Sequence, residues 1–124
     1  MADETTRSPV LAPAYALHRV VTAADSLPET KRGVGVNMSS YAYAHVQVVP
    51  SGGANPSIKI MFWSSEAGAF IDDHTALAFA GAGINAAYET TIACRGREMF
   101  VAVTAGLTSG QAKIFVSGFS VERV

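Results

Sequence analysis

Residues 41–49 alternate between two kinds of side chain without a break. Tyr41, Tyr43, His45 and Gln47 fall on one side, and Ala42, Ala44, Val46 and Val48 on the other. A period of two is the mark of a β-strand with unlike faces, and an α-helix cannot satisfy it. Similar runs recur at 57–63 (Ser-Ile-Lys-Ile-Met-Phe-Trp), 97–104 and 111–119, with shorter or less regular ones at 15–22, 69–71 and 86–94. Glycine, proline, serine and asparagine cluster between them, most densely at Pro50–Pro56, Ser64–Gly68 and Ala105–Gly110. Short strands at roughly ten-residue spacing, separated by such turns, predict an all-β chain: an antiparallel β-sandwich or jelly roll of about seven to eight short strands.

The pattern also makes local pairings readable. Arg95-Gly96 between two strand-like runs suits a two-residue hairpin, and the runs from 86 to 119 read as a three-strand antiparallel meander. The strands at 41–49 and 57–63 read as another hairpin. Residues 23–40, with Pro28, Gly33 and Gly35, form a long connection that carries a short helical turn near Ala23–Ser26. Residues 74–80 fit a short helix as well as a strand, and Val121–Val124 extends the last strand. Residues 1–14, with Pro9 and Pro13 and no periodicity, read as a flexible arm, leaving 15–124 as one domain.

Composition narrows the function. The 124 residues are 49% hydrophobic and 15% charged, with nine basic and ten acidic side chains and a net charge of -1. That balance argues against a nucleic-acid partner, whose backbone calls for a basic excess. Apolar stretches are broken by charges or glycine well before the ~20 residues of a membrane span, and no signal-like start is present, so no membrane association is expected. The single cysteine, Cys94, sits in an apolar run with no histidine or second cysteine beside it and reads as a small buried hydrophobe.

No constellation for catalysis emerges. Asp72-Asp73-His74 is the tightest group of potential ligands. A calcium loop is one reading; a solvated turn is the simpler one, since adjacent strand residues point to opposite faces. His18 and His45 have no carboxylate near them in sequence, Ser64-Ser65-Glu66 lacks an elbow motif, and Gly81-Ala82-Gly83 lacks a following Lys-Ser/Thr. Arg95 and Arg97 read as solubilising charges at a turn. The chain is therefore expected to be no enzyme and to need no metal or cofactor.

The strand faces supply the positive signal. Ile58, Ile60 and Phe62, then Met99, Val101 and Val103, then Ala112, Ile114 and Val116 make aliphatic faces suited to a core. The opposite faces still carry Met61, Trp63, Phe100, Phe115 and Phe119, which a lone sandwich with one wet face per sheet would not need. These five are the candidate interface residues. The competing expectation is that the 23–40 connection or the arm covers them.

The layout of residues 41–124 resembles that of the small β-sandwich virion proteins of tailed phages, of the head decoration or cement type. It rests on the Ala/Gly/Thr/Val-rich strands and on the ending Gly96-Arg97-Glu98-Met99-Phe100-Val101-Ala102-Val103-Thr104 followed by Ala112-Lys113-Ile114-Phe115-Val116-Ser117-Gly118-Phe119. The resemblance implies a structural protein that forms a homo-oligomer, a trimer being one such arrangement, and binds a capsid or other virion protein. It implies residence in the virion after synthesis in the host cytoplasm, and residues 1–14 as the capsid-contacting arm. The alternative is a carbohydrate-binding module in which Trp63, Tyr41, Tyr43 and Tyr88 stack on sugar rings. A small enzyme using His18, His45 and His74 is the third reading.

Overall fold

A computed structural model describes residues 10–11, 15–72, 77–94 and 98–120. It is all-β, with no helix among the described residues. Ten strands follow in order: β1 (Val10–Leu11), β2 (Ala16–Val21), β3 (Val36–Asn37), β4 (Tyr43–Ser51), β5 (Ser57–Ser64), β6 (Ala69–Asp72), β7 (Ala78–Phe79), β8 (Tyr88–Ala93), β9 (Glu98–Ala105) and β10 (Gln111–Phe119). Three of these are two-residue bridges, so the longer strands number seven, as the turn spacing predicts.

The strands form two packed sheets. One has the order β1-β3-β9-β5-β6, with β7 also on β5; the other has the order β2-β10-β4-β8. The alternation expected from sequence decides what lies between them. Ile58, Ile60, Phe62, Met99, Val101 and Val103 of the first sheet meet Val46, Val48, Ile92, Ile114 and Val116 of the second. Burial of these aliphatic side chains is the main force holding the layers together.

The local pairings differ from expectation. β8, β9 and β10 are not a meander: β8 and β10 flank β4 in the four-stranded sheet, while β9 lies between β3 and β5 in the other. β4 and β5 likewise sit in different sheets, so 52–56 is a crossing between layers rather than a hairpin turn. The physical reason is that glycine-rich turns reverse the chain equally well at a hairpin and at a sandwich corner. The turn at Ser64–Gly68 does close a hairpin. Its β5 and β6 pair in register, and the Gly68 N–H donates to the Ser64 carbonyl at 2.9 Å.

The 23–40 connection forms no helical turn; it runs through bends and turns and contributes the two-residue β3. Of residues 74–80, Ala78–Phe79 pair with β5 as strand rather than helix, and 74–76 lie outside the described residues. So do Val121–Val124 and, apart from Val10–Leu11, the expected arm. Those two residues pair in parallel with β3.

Candidate functional site

The five interface candidates fall on two different surfaces. Met61, Trp63 and Phe100 lie on the outer face of the six-stranded sheet, where the 23–40 connection covers them. Met61 is 4% exposed and Phe100 3%, in a cluster with Phe70 and Ala102 and with Val34 packed on top. Trp63 is half-buried beside Phe70, with the Arg32 guanidinium 5.7 Å from its ring centroid. Met61 and Phe100 are therefore corrected from interface residues to a second small core.

Local chemistry explains the cover. Glu98 points outward from β9, and its Oε2 accepts the N–H groups of Gly33 and Gly35 at 2.8 Å each. Its Oε1 lies 3.7 Å from Arg32 Nε. Gly35 passes so close that a Cβ there would stand 2.5 Å from the Met99 carbonyl oxygen, hence the glycine. Further back, Asp25 accepts the Val103 N–H at 2.7 Å and donates its own N–H to the Val103 carbonyl at 2.8 Å. Farther along, the Phe70 N–H donates to the Glu29 carbonyl at 2.9 Å.

Phe115 and Phe119 lie instead on the outer face of the four-stranded sheet, each half-buried among the side chains of that face. Register sets Phe115 beside Leu17 and Gln47, and Phe119 beside Tyr43. Leu17 is 48% exposed, Val20 46% and Tyr15 44%. The rings stand against one another. Tyr43 stacks on Phe119 at 5.5 Å, Phe119 on His45 at 4.4 Å and His45 on Tyr15 at 6.3 Å. Their faces are used on each other, so the surface offers ring edges and aliphatic groups.

One polar cluster borders this stack. The Tyr15 hydroxyl donates to Glu89 Oε2 at 2.6 Å. His45 Nδ1 lies 2.7 Å from Thr91 Oγ1 and 3.3 Å from Glu89 Oε2. Donation to the carboxylate holds the Tyr15 hydroxyl above its ordinary pKa. Tyr15 takes a left-handed backbone, φ 55°, as it turns into β2.

Leu17, Val20, Tyr15 and Glu89 were not among the sequence candidates. A bulge in β2 puts Leu17 and Val20, three residues apart, opposite the same face of β10, which defeats a period-two reading. Tyr15 and Glu89 are 74 residues apart, and only the fold joins them.

The remaining constellations do not converge. Asp72 pairs with Lys59 at 3.1 Å; Asp73, His74, Arg95 and Arg97 lie outside the described residues. His18 faces β9, where its Nε2 lies 3.5 Å from the Val101 N–H, and burial lowers its pKa to about 3. His45 sits on the opposite side of its own sheet, so these two histidines share no site. Cys94 packs half-buried at the core margin. Of the four rings considered for sugar stacking, Trp63 and Tyr43 are on different sheets, and Tyr41 packs over Gly118. Tyr88 donates its hydroxyl to the Pro56 carbonyl at 2.7 Å, and burial pushes its pKa up to about 12. Among the described residues, no three His, Cys, Asp or Glu side chains are grouped to hold a metal ion.

Comparison with known proteins finds no matching family model, no matching curated protein and no matching solved structure.

Proposed function

We propose that this chain is a structural assembly protein, a decoration or cement subunit that binds a virion shell through the outer face of its four-stranded sheet. The observation that carries the reading is the exposure of Leu17, Val20 and Tyr15 around Phe115 and Phe119. Two nine-residue and two six-residue strands, about 4.8 Å apart at about 3.4 Å per residue, give a face of roughly 500 Å². That matches what each partner contributes to the smaller protein interfaces, which bury under about 1,200 Å² in total. Binding would draw on apolar burial at about 25 cal/mol per Å², offset by the freedom lost on docking. The layout resemblance to phage head proteins supplies the shell as partner.

The test is cosedimentation with expanded, undecorated phage heads. The proposal expects saturable binding by the natural chain, lost in the double variant Leu17→Glu/Val20→Glu while the circular dichroism spectrum is kept. Failure of the natural chain to pellet with heads at any concentration would sink it.

A further inference from the structure

We propose that the edge of β8 pairs with the β8 edge of a second copy, joining two four-stranded sheets into one sheet of eight. The Cys94 N–H donates to the Ala42 carbonyl at 2.8 Å, which fixes which residues of β8 face β4. By antiparallel alternation, Tyr88, Thr90 and Ile92 bond to β4, while Glu89, Thr91 and Ala93 turn their backbone groups away from it. Three N–H and three C=O groups thus point off the sheet, and β4 is the only strand paired with β8 among the described residues.

The other edges are managed. At β9, beyond the short β3, the Val101 and Val103 groups are taken by His18, Arg19 and Asp25. β6 gives its Phe70 N–H to Glu29, β2 carries a bulge, and β1 and β7 are two residues long. β8 has six residues, with no proline, lysine or bulge. A regular, unguarded edge of that length is a template for another strand.

The sequence of β8 suits its own copy. Antiparallel pairing centred on Thr91 sets Thr91 against Thr91 and Glu89 against Ala93 of the second copy. No like charges oppose each other, and every outward backbone group finds a partner. This inference rests on the reading of the chain as an assembling subunit and names one of its partners.

Sedimentation velocity on the full chain tests it, together with two variants. Thr91→Lys places two ammonium groups across the two-fold axis. Thr91→Pro removes an outward N–H without touching the β4 ladder. The natural chain is expected at twice the monomer mass, and both variants are expected at least tenfold weaker in self-association with unchanged circular dichroism. Thr91→Cys in a Cys94→Ser background should be joined by a short bis-maleimide, while Glu66→Cys in that background should not. A natural chain that stays monomeric overturns the inference, as does an oligomer that Thr91→Lys leaves intact or one joined through residue 66 but not 91. A monomer that still binds heads would fail this inference alone. A β8-paired dimer that ignores heads would fail the shell reading alone.

Discussion

Arg19 and Asp25 form a two-pronged ion pair across the open side of the sandwich. Nη2 lies 2.6 Å from Oδ1, and Nη1 lies 2.9 Å from Oδ2. Both partners also bond to β9, Arg19 Nη1 to the Val101 carbonyl at 2.9 Å and Asp25 Oδ2 to the Val103 N–H at 2.7 Å. The guanidinium further rests 4.5 Å from the Phe100 ring centroid. A pair that ties β2 of one sheet to β9 of the other acts as a clasp between layers.

Removing one half of the clasp strands the other. Asp25→Ala leaves the Val103 N–H and a largely shielded guanidinium without their acceptor, at a cost of about 2–4 kcal/mol. Urea unfolding measures this, and a loss below about 1 kcal/mol would show that water replaces the carboxylate. Arg19→Met, which keeps the packing on Phe100, should cost less than Asp25→Ala.

His18 gives stability a pH dependence. Its folded pKa of about 3 lies below the ordinary 6.5, chiefly through burial, so the unfolded chain binds the proton more readily between those values. Its contribution is complete above pH 6.5 and is lost as pH falls toward 3, at up to about 1.4 kcal/mol per pH unit. His18→Gln should flatten that part of the stability profile. An unchanged slope in the variant would assign it to other groups.

Glu98 and Gly35 predict how the cover over Met61 opens. Gly35→Ala forces the strap off the Met99 carbonyl and the Glu98 side chain, and a loss of about 2 kcal/mol or more is expected. Glu98→Gln weakens the charge-assisted bonds to Gly33 and Gly35, costing about 1–2 kcal/mol. In both, amide exchange should quicken over 29–36 before the global transition, and Trp63 emission should shift to the red. Uniform exchange across the chain would mean that the strap does not open separately.

The two outer faces should respond in opposite ways. Phe100→Ala should cost about 3–5 kcal/mol in unfolding and leave head binding intact in the folded fraction. Leu17→Glu and Val20→Glu should cost less than about 1 kcal/mol each and abolish binding. Equal stability losses at both faces would remove the distinction drawn between them.

Sequence patterning reached strands more readily than partnerships. The start of β10 is legible because Ala112, Ile114 and Val116 alternate with Lys113, Phe115 and Ser117 after the glycine turn at Ala105–Gly110. Which sheet receives β10 was not legible, because Gly106 and Gly110 mark a reversal without saying whether it crosses layers. Phe115 and Phe119 were identified from their face alone. Phe100 shares that pattern yet is buried, because a segment more than sixty residues earlier lies over it, pinned by Glu98. Period-two reasoning tells which side of a strand a residue takes; it is silent on what distant chain comes to rest there.

The last two strands occupy interior positions, β9 between β3 and β5 and β10 between β2 and β4. On the ribosome this matters. While residues 98–119 are still being made, β2 and β4 have no common neighbour and β3 and β5 none either. Until β9 and β10 are in place the aliphatic strands on either side of them have no central partner, so each layer closes only when its late interior strand arrives. A chain stopped after Gly110 lacks β10, the strand that joins β2 to β4, and would unfold without a cooperative transition.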